Sequence, residues 1–196
     1  MSRHFHIKDE IRILGIDDSA LISENILIVG AFFRGGLWLD GVMSSYLTKD
    51  GLDGTDKIAE MVKNSKHYPQ IRIIMLDGIT YGGFNTIDII RLHEDTGIPV
   101  IVLMREYPDF NMIDQALSYL PHKNTRKEII ERAGKIIKVN TKDVLNPVYI
   151  QCSGIKKEDA ARIVQLTATR SNIPEPLRVA HLIATGIVLG ESRGKA

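Results

Sequence analysis

Apolar positions along the chain fall into short runs, each closed by turn-forming or acidic residues. Positions 11–16 form one such run, which stops at Asp17-Asp18-Ser19. Positions 25–33 and 37–48 form two longer runs, separated by Arg34-Gly35-Gly36. Glycine-rich pairs between two apolar runs are hairpin signals, so these predict a pair of antiparallel strands. The stretch RIIMLDGIT holds four consecutive apolar residues and then Asp77-Gly78. Continuous apolar runs of this length mark strands buried on both faces. Positions 99–104 repeat the pattern, and 135–139 and 148–151 read as short strands.

Helical spacing fills the intervals. Between 55 and 63 the apolar residues stand at 58, 59, 61 and 62, with Thr and Asp at the start. Segments 84–93, 110–120, 126–132, 158–168 and 175–189 also read as helices. The order is therefore three strands first and then strands alternating with helices. It predicts a mixed α/β sheet with flanking helices. Ribonuclease H-like nucleases share this order with other mixed α/β folds.

Composition narrows the class only a little. The chain has 196 residues, with 25 Lys plus Arg against 24 Asp plus Glu, so a nucleic-acid partner requires basic residues gathered locally. The single cysteine, Cys152, excludes an internal disulfide and suits a reducing setting. The apolar run at 26–33 is too short to span a bilayer, and the polar start MSRHFHIKDE lacks an apolar signal core. A cytoplasmic protein of one domain, 1–196, with no membrane partner is expected. Nothing in the chain fixes the oligomeric state.

The chemistry lies in the carboxylates. Asp17 and Asp77 each end a buried strand, and open α/β sheets place their sites at such strand ends. Asp50, Asp53 and Asp56 lie in the segment entering the 55–63 helix. If the two strands are neighbours, Asp17 and Asp77 meet at one edge, and Asp56 or Asp53 is delivered nearby. Three such carboxylates make a hard oxygen site suited to magnesium or manganese, as phosphodiester hydrolysis requires. The alternative for each is an ordinary turn or helix cap. Arg34, Lys49 and Arg178 are candidate phosphate contacts, with solvated turns or a structural pairing of Arg178 with Glu175 as the alternative. Gly82 and Gly83 in TYGGFN can bring backbone amides to a phosphate. Tyr81 and Phe84 are candidates for stacking on a base, with core packing favoured for Phe84. The tail adds Arg193 and Lys195.

The segments IRILGIDDS, FFRGGLWLDGVMSSYLTKDGLDGTDKIAEMV, IRIIMLDGITYGGFNTIDI, TGIPVIVLMRE, PVYIQCSGI and NIPEPLRVAHLIATGIVLGESRGKA carry a nearly end-to-end resemblance. They are similar to those of an archaeal family renamed endonuclease dU, a relative of endonuclease V. The resemblance implies a ribonuclease H-like fold and an endonuclease V-like domain. It implies a hydrolase using Mg2+ or Mn2+ that cleaves DNA or RNA at a deaminated base, hence a role in DNA repair. By the same resemblance the metal carboxylates and catalytic residues are Asp17, Asp56 and Asp77, with Asp53 as the competing third ligand. Three elements of endonuclease V are replaced here. Ile155 stands where that family has a late His. SSYLTKDG has no proline in place of a Pro-rich wedge, and ITYGGFNTID replaces a His-Pro-Arg element. One rival follows from these departures, a non-catalytic nucleic-acid-binding or assembly protein; a third reading is a small-molecule phosphodiesterase, which a small closed pocket instead of an open groove would favour.

Overall fold

The computed structural model describes residues 7–193. The chain runs through β1 (Arg12–Asp18), β2 (Asn25–Arg34), β3 (Trp38–Thr48) and α1 (Gly54–Lys63). Next come β4 (Ile73–Asp77), β5 (Thr80–Tyr81), β6 (Asn85–Thr86), α2 (Ile89–Thr96), β7 (Val100–Met104), α3 (Phe110–Leu117) and α4 (Lys123–Arg132). It ends with β8 (Ile137–Val139), β9 (Val148–Ser153), α5 (Lys157–Thr167) and α6 (Glu175–Leu189). Seven strands form one sheet in the order β3-β2-β1-β4-β7-β9-β8. β1, β4 and β7 are parallel, and the strands outside them pair antiparallel. The mixed sheet predicted from the order of elements is present, and so is the β1–β4 adjacency.

Side chains alternate across each strand, so the sheet has two distinct faces. Leu14, Ile16, Ile74, Leu76, Val100 and Val102 pack with Ile58, Met61 and Val62 of α1 and Leu92 of α2. Ile13, Ile73, Met75, Ile101 and Leu103 point the other way, onto Ile163 and Val164 of α5 and Leu177 of α6. The central strands are buried on both sides, which explains their unbroken apolar runs.

One predicted helix is relocated. Segment 84–93 begins as the β5–β6 hairpin, and α2 starts only at Ile89. The cause is local: the Asp88 carboxylate accepts from the amides of Ile90 and Arg91 and so sets the first turn. No described helix is long and apolar enough to cross a membrane.

Candidate metal and nucleic-acid site

The parallel β1–β4 ladder is in register through Ile16 and Leu76. The next residue on each strand is Asp17 or Asp77, so two carboxylates emerge side by side at one sheet edge. By alternation both point to the α6 side, in line with Gly15 and Met75. Tyr81 fixes this edge. Its fully buried hydroxyl donates to the Ile16 carbonyl at 2.7 Å and accepts from the Asp77 amide at 2.9 Å. One phenol thus ties the two strand ends where the ladder opens. Tyr81 is a brace and not a stacking surface, which corrects the expectation that it stacks on a base.

Helix α6 brings in a side chain that the carboxylate pattern did not reveal. A Cβ on Gly15 would lie 2.4 Å from the backbone of Pro176, so glycine there lets α6 sit directly on β1. Further along the helix, His181 reaches Asp17, with Nδ1 2.8 Å from Oδ2. Its Nε2 lies 3.2 Å from the Arg193 carbonyl. Both partners accept hydrogen bonds, so the Asp17–His181 pair holds a proton in common on the imidazole or the carboxyl. The segment PEPLRVAH carried the signal: His181 follows Arg178 by three residues on one helical face.

The electrostatics are those of crowded, desolvated acids. Burial pushes Asp17 from 3.8 up to about 7, reinforced by Asp77 and Asp18 and opposed by the hydrogen bond from His181. Asp18 is likewise raised by burial, against a hydrogen bond from Gly82 and with repulsion from Asp77. His181 is raised by its hydrogen bond to Asp17. Asp77 is paired with Arg105, which donates from Nη2 to Oδ2 at 2.8 Å. Arg105 follows β7 directly, and sequence reasoning did not single it out.

The structure does not bring every expected residue to this edge. Asp56 lies on α1, which covers the opposite face of the sheet, and its carboxylate pairs with Arg91 of α2. Its distance along the chain from Asp77 suited the site, but its side of the sheet does not. Asp53 accepts from the Thr48 amide and hydroxyl and from Asn85 Nδ2, and so closes the turn before α1. Arg34 is at the far end of the sheet, beside Arg12 in the ladder and paired with Asp40. Arg178 pairs with Glu175 at 2.8 Å and lines a shallow hollow with Phe33 and Leu39, also toward that end. Lys49 follows β3 at the carboxylate end, where Thr48 pairs with Asn25.

Gly82 and Gly83 both have positive φ, and their segment serves the protein's own acids. The Gly82 amide donates to Asp18 Oδ2 at 2.5 Å and the Phe84 amide to Asp50 Oδ1 at 2.8 Å. Buried Arg126 of α4 then joins the two loops through the carbonyls of Asp50, Gly51 and Phe84. Cys152 is raised by burial and its thiol faces the Ile155 carbonyl, which suits a packed residue and not a nucleophile. Lys195 lies outside the described residues.

Among the described residues, no group of three or more His, Cys, Asp or Glu side chains forms a ready metal cage. The donor set at the edge is nonetheless of the right kind for one class of ion. Magnesium keeps several waters and binds through one or two carboxylates. Asp17 and Asp77 supply two adjacent oxygen donors whose mutual repulsion a dication would relieve.

Comparison with known proteins agrees with this architecture. Residues 9–188 match the family described as Endonuclease dU. A UPF0215 protein of Methanosarcina barkeri is 63% identical over 196 residues, covering 100% of both chains. A crystal structure of a protein of unknown function from Archaeoglobus fulgidus superposes with a TM-score of 0.81 at 39% identity, covering 90% of this chain and 97% of that one. Endonuclease V of Ciona intestinalis, solved with a 24mer DNA containing an inosine, gives a TM-score of 0.66 at 12% identity, covering 96% and 90%. The last likeness shows a shared ribonuclease H-like fold. The chain belongs to the endonuclease dU family.

Proposed function

We propose that the protein is a divalent-metal-dependent endonuclease that hydrolyses phosphodiester bonds in nucleic acid carrying a deaminated base. The observation that carries this reading is the pair Asp17 and Asp77 on adjacent parallel strand ends, with Asp17 raised to about 7. Fixed, desolvated acids of like charge are costly unless a cation offsets them. Asp17 and Asp77 would hold Mg2+ or Mn2+. Such an ion, when bound, neutralises charge developing on the phosphoryl group and makes water more acidic. Family membership and the inosine-DNA complex of the Ciona relative support nucleic acid as the substrate class.

The chain's own residues divide the remaining work. Tyr81 keeps the two carboxylate-bearing strand ends at fixed separation. Arg105 orients Asp77 and places a guanidinium where a phosphate oxygen approaches the edge. His181 orients Asp17 through Nδ1 and holds in common with it the proton of the pair. Asp56 and Arg34 take no part.

The test is cleavage of labelled oligonucleotides carrying deoxyuridine or inosine, beside undamaged controls, with magnesium, manganese or a chelator. Metal-dependent nicking near the lesion, lost in Asp77→Asn, is the expected result. Absence of turnover with either ion, together with intact binding, would instead support a non-catalytic nucleic-acid-binding protein.

A further inference from the structure

β3 closes one side of the sheet and, among the described residues, pairs only with β2. An unpaired strand edge is a template for another strand, and proteins guard it with short length, lysine or proline. The opposite edge is guarded in this way: β8 has three residues, with Lys138 exposed at its centre. β3 runs for 11 residues, and from Gly41 to Leu47 it holds no charge and no proline. Its side chains add apolar surface, since Val42 is 48% exposed and Tyr46 58%.

The register fixes which main-chain groups face outward. The Thr48 amide donates to Asp53 and the Thr48 carbonyl accepts from Asn85, whereas the Lys49 amide donates back to the Glu24 carbonyl. Successive residues of an antiparallel strand turn their N–H and C=O alternately to one neighbour and the other. Met43, Ser45 and Leu47 therefore bond to β2, and Val42, Ser44 and Tyr46 present their groups on the open side. The side chains of these three residues point to the α6 face. Val42 opposes Ala31, Ser44 opposes Val29 and Tyr46 opposes Leu27, all of which pack with α6. That helix lies over β1 and β2 and leaves β3 largely uncovered. Val179 and Ile183 pack onto β2 side chains, and Ile187, one turn further, is 65% exposed.

We propose that a second copy of this chain pairs with β3 antiparallel, about a twofold axis at Ser44, and joins the two sheets into one. In this register Ser44 faces its own counterpart, and Val42 of each copy faces Tyr46 of the other. All three are outward-bonding positions, so each pair exchanges two main-chain hydrogen bonds, and a β-branched residue meets an aromatic one across the strands. Pairing stops beyond them. The groups of Thr48 are taken by Asp53 and Asn85, and the residue that would face it, Asp40, is skipped at the bulge between β2 and β3.

The space above the sheet fits the same occupant. β2 and its counterpart would stand three strand spacings apart, about 14 Å. Helices in direct contact lie about 8–10 Å apart, so the two α6 helices leave a trough that the Val42 and Tyr46 side chains fill, with Ile187 at each rim. These side chains and the strand edge amount to roughly 600 Å2 per copy, about 1,200 Å2 in all, which reaches the lower bound of stable interfaces. A twofold pair uses each β3 edge once and so stops at two copies. It also turns the second sheet end for end, so the two acid edges point opposite ways and stay open. The proposal is independent of the nuclease reading.

Sedimentation equilibrium of the full chain in the micromolar range should give the mass of a dimer. Ser44→Pro removes the amide at the axis without touching the β2 ladder, and Tyr46→Lys puts a charge in the trough. Each should weaken dimerisation by at least about 10-fold, the scale of one or two lost hydrogen bonds. Mild oxidation of Ser44→Cys should give a disulfide-linked dimer, because Cα atoms of a bonded pair stand about 5.5 Å apart, within disulfide reach. Thr48→Cys and the wild type, which keeps Cys152, should not crosslink. Melting curves of each variant check that the fold is kept. A wild type that stays monomeric overturns the proposal. A dimer that Ser44→Pro and Tyr46→Lys leave as tight as wild type overturns it equally, as does crosslinking of Thr48→Cys in preference to Ser44→Cys.

Discussion

The two ends of the sheet handle charge in opposite ways. Where β1 begins, Arg12 and Arg34 sit opposite one another and share the single carboxylate of Asp40 in the open. Hydrogen bonding to Arg34 holds Asp40 below the usual carboxylate range. Where β1 finishes, Asp17 and Asp18 stand beside Asp77, with burial lifting Asp17 and Asp18. The first end is a solvated ion cluster of modest worth. The second excludes water from acids that repel one another, and such an arrangement weakens the fold unless something positive completes it. On the proposed function, stability and chemistry are separated along one strand.

Asp77→Asn should give the largest effect. The swap is nearly isosteric and removes one of the repelling charges. Cleavage of a lesion-bearing oligonucleotide should fall by more than about 100-fold, since even residues that only orient a metal's ligands typically cost 10–100-fold. The melting temperature should stay the same or rise in metal-free buffer. A variant as active as wild type removes Asp77 from the chemistry.

The acid end should also leave a signature in stability against pH. Asp17 is raised from 3.8 to about 7 in the fold, so the native state binds more protons than the unfolded chain between those values. Stability from this group is therefore full below about pH 4 and is lost as pH rises toward about 7. Asp40 has the opposite sign: it is depressed, so its contribution is present above its unfolded value and lost as pH falls below it. In metal-free buffer, wild type should lose up to a few kcal/mol between pH 4 and 7 relative to Asp17→Asn, since each tenfold change in proton affinity is worth about 1.4 kcal/mol. Denaturant melts of both proteins across that range measure the difference. Parallel curves would mean that Asp17 titrates normally.

His181→Gln should come next. Glutamine keeps a side chain that can hydrogen-bond Asp17 but cannot hold the imidazole's proton. Turnover should drop by about 10–100-fold, with substrate affinity nearly unchanged. The pH profile of turnover should lose the limb that belongs to the Asp17–His181 pair. An equal loss at every pH would point to a structural role.

What the sequence revealed follows from the physics of each element. Buried central strands are written as apolar runs, so β1, β4 and β7 were legible, as were the Asp residues that end β1 and β4, and parallel pairing then forced Asp17 and Asp77 together. The β2–β3 hairpin was legible from Gly35-Gly36. Helix placement over the sheet was not. Asp56 sits three residues inside a helix whose apolar residues dictate which face it covers, and spacing along the chain is silent about that. The sequence puts His181 on one helical face with Arg178 but not beside Asp17, because that position depends on the close approach of Pro176 to Gly15, a contact between residues far apart in sequence. Arg126 opens the predicted 126–132 helix, and nothing local marks it as the buried side chain among carbonyls that it is. Long-range packing decided each of these.

Arg34→Ala sharpens the comparison from the other end. Arg34 belongs to the Asp40 cluster, so the variant should bind oligonucleotides as wild type does, with the same salt slope. A phosphate contact at Arg34 would instead lower that slope by about one. Anisotropy over a salt series distinguishes the two results.

Asp56→Ala should be the smallest perturbation of all. Its ion pair with Arg91 is half exposed on both sides, and such pairs contribute between about 0 and 1 kcal/mol. Asp56 is also the one acid in the first turn of α1, so its removal takes away a small favourable interaction with the helix dipole. Both losses concern stability alone. Cleavage should remain within about twofold of wild type at every metal concentration, whereas a third metal ligand would shift the metal dependence strongly. A metal titration of turnover in this variant therefore decides between the spacing along the chain, which favours Asp56, and the faces of the sheet, which exclude it.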